Sequence, residues 1–217
     1  KGEWNIPFKY GFTKRESVNV NLHVFEQEHP EIELNLTFRD FLREHPIVRD
    51  EYASLKNNLL KDSSSFKKKD SMFTGYNLGK DAFIQKILRK TGYNKLRFLK
   101  CTHYTEWKTS KALRKNYFFD HLSINDPYTW TFNHDDHKHF VLYQGVDVIG
   151  YSHIELLPNK KALLHIITIN EENHSQGFGK YFLNLIEKWF KEKSYKSIHV
   201  QSSPSVLGFY KKNKYHS

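Results

Sequence analysis

HSQGFGK, residues 174–180, lies between a segment typical of a buried strand and a segment typical of an amphipathic helix. The preceding segment ALLHIITIN, residues 162–170, is rich in Ile, Leu and Thr, which favour β-structure. Two glycines separated by one residue, Gly177 and Gly179, permit a tight turn that brings several N–H groups to the start of the helix. These donors and the helix dipole predict a binding site for a pyrophosphate. The helix itself is indicated by apolar residues at helical spacing: Phe178, Phe182, Leu185, Ile186, Trp189 and Phe190.

A second strand and a short helix are predicted beyond this helix. KSIHVQ, residues 196–201, has the composition of a strand, and VLGFYKKN, residues 206–213, predicts a helix that carries Phe209 and Tyr210. Strand, glycine turn, long helix, strand and short helix with a Phe-Tyr pair is an order that resembles the GNAT acetyltransferases. The resemblance extends from about Arg97 to the end of the chain.

Individual motifs of that family are present with substitutions. In the family's acetyl-CoA loop, Gln or Arg stands before two variable residues and then Gly-x-Gly or Gly-x-Ala; His174 occupies that first position here. The family's late motif Phe-Tyr-x-x-x-Gly-Phe corresponds to FYKKNKY, residues 209–215, in which Lys214 stands where Gly is usual. Ser203 stands where the family often has an Asn that contacts the cofactor.

The resemblance implies a fold and a cosubstrate. We expect an α/β (α+β) domain with a mixed, mostly antiparallel sheet flanked by helices, which binds acetyl-CoA. The strand ending at Ile169 and the strand at residues 197–201 are expected to splay apart and admit the pantetheine arm. N–H groups near Ile167 and Ile169 would then polarise the thioester carbonyl. The predicted cofactor-binding residues are Ile167, Ile169, His174, Ser175, Gln176, Gly177, Phe178, Gly179, Lys180 and Ser203.

Acetyl transfer to an amine requires a neutral amine, a stabilised oxyanion and a proton for the departing thiolate. The resemblance implies that Tyr210 is the general acid, because a phenol is protonated at neutral pH; packing against the long helix is its structural role. Glu155 and His165 are candidate bases on adjacent predicted strands, with a packed histidine and a water base as the alternatives. Lys180 is placed either to pair with a phosphate or to be solvated. His174 donates one hydrogen bond when neutral and two when charged, which predicts tighter CoA binding at lower pH.

The first half of the chain has a different pattern. Residues 18–26 alternate like a strand, residues 38–60 predict a helical region interrupted at Pro46, and residues 80–90 predict an amphipathic helix. Several motifs resemble the C-terminal part of the GrpB family, whose fold is nucleotidyltransferase-like: NLHV (21–24), FRDFLREHP (38–46), EYASLK (51–56), Tyr76 and KDAFI (80–84).

That resemblance lacks the family's upstream motifs. No Gly-Ser-Thr turn and no Asp-x-Asp pair precedes His23. Nucleotidyl transfer needs carboxylates that hold a divalent metal, so we expect this half to serve in binding, packing or dimerisation. The predicted domains are therefore a smaller, partial nucleotidyltransferase-like α/β module at residues 1–95 and a GNAT-like acetyltransferase domain at residues 96–217.

Three functional hypotheses follow from these patterns. The leading one is an acetyl-CoA-dependent N-acetyltransferase that acts on a small-molecule or peptide amine. The second is a non-catalytic protein that binds acyl-CoA or a nucleotide. The third is a fragment of a nucleotidyltransferase-related GrpB-family protein. An unpaired sheet edge would also make a homodimer a candidate assembly.

Composition limits the cellular context and the partners. The chain has 217 residues, a formal net charge of +10 and one cysteine, Cys101. A single cysteine excludes an internal disulfide framework, and no apolar run approaches the ~20 residues of a membrane helix, so a cytoplasmic protein without a membrane segment is expected. The basic charge suits CoA, and no interleaved aromatic and Arg platform favours nucleic acid. HDDHKH at residues 134–139 lacks an established ligand spacing, so we expect a polar turn and no metal.

Overall fold

The computed structural model describes residues 3–68, 73–122 and 124–216. They divide into two compact units. The first unit runs to Lys108 and includes Tyr143–Val148, whereas the second contains Thr109–Leu142 and the chain from Ile149 onward. Within this described part, no helix has both the length and the apolar character needed to cross a membrane. The domain boundary after residue 95 stays a prediction.

The first unit combines a two-stranded sheet with helices. β1 (Lys9–Arg15) pairs with β2 (Asn19–Phe25) in antiparallel register. The predicted strand at residues 18–26 and helix at residues 80–90 are confirmed, whereas β1, with its mixed composition, lies outside every predicted strand. The helices are α1 (Pro30–Glu44), α2 (Pro46–Lys61), α3 (Gly75–Leu78) and α4 (Asp81–Lys90).

The predicted interruption at Pro46 is confirmed and separates α1 from α2. His45 has φ −122° and ψ 79°, because a residue before proline avoids the helical region. Pro46 then opens α2, where the missing N–H removes no helical hydrogen bond. Unlike the prediction, the helical region begins at Pro30, where His29 Nδ1 accepts a hydrogen bond from Glu31 N–H and caps α1.

A five-stranded sheet has the strand order β3–β4–β5–β6–β7. β5 and β6 are antiparallel, and β6 and β7 are parallel. The predicted fold, a mixed and mostly antiparallel sheet flanked by helices, is confirmed. The strands are β3 (Leu96–Lys100), β4 (His137–Gln144), β5 (Asp147–Leu157), β6 (Lys161–Ile169) and β7 (Ser197–Val200).

The hairpin turn between β4 and β5 lies at Gly145. Its φ of +61° is in the left-handed region. A Cβ at this position would approach the carbonyl oxygen of Tyr93 to 2.6 Å. Both the backbone angle and the close approach therefore require glycine.

The helices of this region are α5 (Tyr104–Arg114), α6 (Phe178–Glu192) and α7 (Leu207–Lys212). α5 ends at Arg114, and a π-helical turn, Lys115–Phe119, continues it. α6 follows the predicted apolar spacing and packs on β6. Its buried residues are Phe182, Leu183, Ile186, Trp189 and Phe190.

Three helices end with the same hydrogen-bonding pattern. The N–H of Tyr93, Tyr195 or Tyr215 reaches back five residues to the carbonyl of Leu88, Phe190 or Tyr210. This pattern places the residue before each tyrosine in the left-handed region. Those residues are Gly92 (φ +70°), Ser194 (φ +61°) and Lys214 (φ +67°). Lys214 thus adopts the backbone angle of the glycine that is usual at this position.

We expect Lys214→Gly to raise the free energy of unfolding by about 1 kcal/mol, because it relieves the steric cost of a left-handed lysine. Urea denaturation measures the change. As a matched control, Lys211→Gly inside α7 should lower stability by about 1 kcal/mol. A loss of stability in Lys214→Gly would contradict the left-handed conformation assigned to Lys214.

Candidate active site

The N-terminus of α6 has no side-chain cap. Its N-cap residue, Gly177, has φ +81° and follows a short loop in which Ser175 also has a positive φ of 62°. The first N–H groups of an α-helix have no partner within the helix. A Cβ placed on Gly177 would meet nothing within 4 Å, so the space in front of these donors is open. The helix start can therefore accept an anion.

A cleft of about 1180 Å³ opens in front of this helix start. It exceeds the ~300–1,000 Å³ of sites for drug-sized molecules, and suits a longer ligand. Gln176 does not line the cleft, since its side chain donates to the Glu172 carbonyl at 3.1 Å. The other predicted cofactor-binding residues all line it: Ile167, Ile169, His174, Ser175, Gly177, Phe178, Gly179, Lys180 and Ser203.

One wall of the cleft is the open edge of β6. β7 pairs with β6 only from Lys161 to Leu164, and the last pair joins Leu164 to Val200. The chain leaves the strand there and reaches a 3₁₀ turn that begins at Pro204. The predicted separation of the two strands is therefore confirmed, and residues 165–169 of β6 have no β7 partner.

The backbone direction of this edge follows from one hydrogen bond. Asn170 N–H donates to Ile149 O on β5 at 2.8 Å. Because N–H groups alternate sides along a strand, those of Ile167 and Ile169 point away from β5 and into the cleft. Ile169 O points the same way, and His174 Nε2–H donates to it at 2.7 Å. His174 thus ties the glycine loop to the strand whose donors face the cleft.

Tyr117 holds the other end of the loop. Its hydroxyl oxygen accepts a hydrogen bond from Glu171 N–H at 2.9 Å, and its ring lies 6.3 Å from the His174 ring. Tyr117 belongs to the π-helical turn, an element that is frequent at functional sites. The sequence analysis missed this residue, because nothing in its local pattern links it to a loop more than 50 positions away.

Tyr210 lies on α7 and lines the cleft. It is buried, and burial raises the pKa of its phenol to about 12. The hydroxyl group therefore keeps its proton at neutral pH. The residues that the structure describes provide no hydrogen-bond partner for it, so the proton is available to a ligand. Tyr210 also packs edge-on against Phe209 at 5.1 Å.

Glu155 and His165 form a pair beside the cleft. Glu155 Oε2 lies 2.7 Å from His165 Nε2, and His165 lines the cleft. The register between β5 and β6 shifts where His153 pairs with Ile166 and Ile154 with Leu164, so His165 is the extra residue of a bulge. The two imidazoles stack at 4.9 Å. Bulges often direct a side chain next to an active site.

Comparisons with known proteins agree with this geometry. Residues 102–215 match the model described as the acetyltransferase (GNAT) family. The chain belongs to the GNAT family. It is therefore classed with the acyltransferases, and the family's use of acyl-CoA fits a cleft with open N–H donors. Residues 1–90 match the model described as GrpB protein, so both predicted resemblances are confirmed.

Individual relatives cover parts of the chain. UPF0157 protein YqkA of Bacillus subtilis (strain 168) is 43% identical over 60 residues, which are 27% of this chain and only 18% of that relative. The crystal structure of an aminoglycoside acetyltransferase from an uncultured soil metagenomic sample, in complex with trehalose, has 18% identity and a TM-score of 0.49, covering 58% of this chain and 90% of that one. A putative N-acetyltransferase from Lactobacillus plantarum has 17% identity and a TM-score of 0.49, covering 55% and 84%.

Behind the Glu155–His165 pair, this GNAT chain buries an arginine that the sequence analysis did not identify. Arg114 is fully buried, and its Nη2 donates to Asp126 Oδ1 at 2.7 Å. Its Nη1 donates to the Tyr151 hydroxyl oxygen at 3.2 Å and to His153 Nδ1 at 3.3 Å. His153 must therefore carry its proton on Nε2, which lies 2.9 Å from His137 Nδ1.

Burial keeps the neighbouring histidines neutral, and the charge of Arg114 adds to this effect. Burial, with His139 and Arg114 adding to it, lowers the pKa of His153. Burial also lowers the pKa of His139 to about 3. Its Nε2–H donates to Thr131 O at 3.1 Å, and its Nδ1 accepts from the Tyr151 hydroxyl at 2.7 Å. No three His, Cys, Asp or Glu side chains in the described segments are grouped to hold a metal ion.

We expect Arg114→Met to lower the free energy of unfolding by about 3 kcal/mol, because it leaves Asp126 partly buried without its cation. Chemical denaturation measures the loss. The double variant Arg114→Met, Asp126→Asn should lose less than the sum of the two single variants. A loss below about 1 kcal/mol in Arg114→Met would argue against a stabilising pair.

The same pair predicts a pH dependence. Burial raises the pKa of Asp126, but hydrogen bonds from Arg114 and Tyr128 N–H outweigh it and hold the pKa below its usual value. The stabilisation is therefore complete above the unfolded-state pKa of about 3.9 and disappears as pH falls through the lower folded-state pKa. The stability difference between the parent and Asp126→Asn should shrink in that acidic range.

Proposed function

We propose that this chain is an acetyl-CoA-dependent N-acetyltransferase, which transfers the acetyl group by direct attack of an amine on the thioester. The observation that supports it most is the meeting of three groups in one cleft: the open β6 edge, the uncapped start of α6 and the protonated Tyr210. Acetyl-CoA supplies the activated acetyl group as a thioester.

Binding relies on the loop and on α6. The N–H groups at the start of α6 donate hydrogen bonds to the pyrophosphate, with Gly177 providing the open approach and the helix dipole adding attraction. Lys180 lines the cleft one turn into the helix and adds a point charge. Ser203 lies across the cleft, on the segment that follows β7.

The chemical roles are divided among residues on separate elements. N–H groups of Ile167 and Ile169 donate to the thioester carbonyl oxygen, where negative charge develops; losing one such donor costs ~3–4 kcal/mol in comparable sites. The Glu155–His165 pair takes the proton from the amine, whose nitrogen forms the new bond to the acetyl carbon. Tyr210 gives its proton to the sulfur as the C–S bond breaks.

The proposal also includes the acceptor, the cellular compartment and the roles of the two domains. The acceptor is a small-molecule or peptide amine, and the protein acts in the cytoplasm. Residues 1–95 form a GrpB-like module that serves in binding, packing or dimerisation, and residues 96–217 form the catalytic domain. The competing hypothesis is a non-catalytic protein that binds acyl-CoA. Such a protein would bind acetyl-CoA without any turnover, so a turnover assay distinguishes the two hypotheses.

Cofactor binding is tested by calorimetry with acetyl-CoA. Gly179→Glu adds a charge at the start of α6, where a Cβ would meet only the Phe209 ring at 3.6 Å, so the fold should tolerate it. We expect affinity to fall by more than about tenfold through repulsion of the phosphates. Asn184→Glu, on the exposed face of α6, is the matched control. Equal affinity in Gly179→Glu and the parent would rule out this phosphate site.

The variant Tyr210→Phe tests whether Tyr210 is the general acid. We expect kcat to fall by about 10²-fold or more, while the affinity for acetyl-CoA stays within about twofold, because only the proton donor is removed. Thiol release with an amine panel measures kcat. Tyr181→Phe, on α6 but outside the cleft, is the control. Unchanged kcat would remove Tyr210 as the acid, and no turnover with any amine would favour the non-catalytic alternative.

A further inference from the structure

The side-chain cluster next to the Glu155–His165 pair has a composition that selects a ligand. We define the acceptor patch as Tyr128, Trp130, His137, Glu155 and His165. We propose that this patch is the acceptor subsite and that it takes a primary ammonium ion joined by a short chain to a flat aromatic ring. This inference rests on the proposed acetyl transfer and specifies its acceptor.

The patch continues from the cleft. His165 lines the cleft and contacts Glu155, so an amine nitrogen held by this pair lies at the cleft wall. The Tyr128 ring lies 6.1 Å from the His165 ring. The Trp130 ring lies 5.1 Å from the His137 ring, which in turn lies 6.4 Å from His165. The Tyr128 and His137 rings thus lie beside His165, and the Trp130 ring lies next to His137.

The two aromatic residues are exposed but held in place. Tyr128 is 42% exposed and Trp130 is 60% exposed. Tyr128 N–H donates to Asp126 Oδ1 at 2.9 Å, so the buried Arg114–Asp126 pair anchors the start of this segment. The Trp130 ring is held edge-on by His134 and His137. Rigid exposed aromatic rings provide contact area at a low entropic cost.

The charges of the patch favour a cation, although the chain as a whole carries +10. Burial lowers the pKa of His137, so this ring is neutral at neutral pH, and the carboxylates that act on it are Glu155 and Asp136. The nearby cation, Arg114, is paired with Asp126. An ammonium ion at Glu155 therefore gains a carboxylate and lies near ring faces that attract positive charge.

This chemistry separates ring-bearing amines from other acceptors. A flat ring attached to the amine would lie against Tyr128 or Trp130, where its apolar area is removed from water. An alkylamine would keep the charge contact and lose ring stacking. A sugar amine would place many hydroxyl groups against rings that offer few hydrogen-bonding partners. We therefore expect the protein to prefer aromatic amines over aliphatic amines, and aliphatic amines over sugar amines.

The test uses the full chain and 2-phenylethylamine, hexylamine and glucosamine as probes. Thiol release from acetyl-CoA measures kcat and KM for each amine. Calorimetry without acetyl-CoA measures binding of 2-phenylethylamine independently of turnover. Tyr128→Leu and Trp130→Leu remove the rings, and Tyr104→Leu, at an exposed tyrosine of the first unit, is the matched control. Acetyl-CoA affinity of each variant reports whether its fold is intact.

We expect KM and Kd for 2-phenylethylamine to rise about five- to tenfold in each patch variant, with a smaller rise in the KM for hexylamine. Tyr104→Leu should match the parent. Equal or better use of hexylamine or glucosamine by the parent overturns the ring specificity and leaves acetyl transfer intact. Binding of 2-phenylethylamine without any thiol release supports the patch and refutes the proposed function. If 2-phenylethylamine does not bind and the patch variants behave like the parent, the acceptor patch is refuted.

Discussion

The site depends on where the pairing between β6 and β7 stops. β7 ends at Val200, because the following polar segment leads into the turn at Pro204 and cannot continue the ladder. The C-terminal part of β6 therefore keeps backbone donors that no strand satisfies. Unpaired edges are usually protected, since they invite aggregation. Here α7 and the glycine loop border the edge and turn it into one wall of a cleft.

The loop and the strand are coupled by side chains as well as by sequence order. His174 donates to Ile169 O, and Tyr117 accepts from Glu171 N–H, so both ends of the loop are held. His174 thereby has a bonding role that the Gln or Arg of the family need not share. This coupling keeps the uncapped helix start and the open strand edge at a constant separation, as a ligand that spans both requires.

A buried cation, Arg114, fixes the side chains next to the Glu155–His165 pair. Arg114 fixes the proton positions on His153 and, through Tyr151, on His139. Its partner Asp126 also holds the backbone of Tyr128. One ion pair thus determines which imidazole nitrogens donate and where the exposed aromatic segment begins. Such a pair is costly to assemble, because both charges leave water, and its breakage by a single substitution costs more still.

The sequence by itself determined β6, α6 and the glycine turn, because periodicity and backbone freedom are local properties. It also identified Tyr210, His165 and Glu155 as candidates through their positions on predicted strands and a family motif. Only the tertiary structure decided that Glu155 and His165 touch, since a one-residue bulge sets their register. The sequence also did not predict Arg114, Tyr117 or β1. Their roles come from contacts between segments distant in sequence, which packing alone brings together.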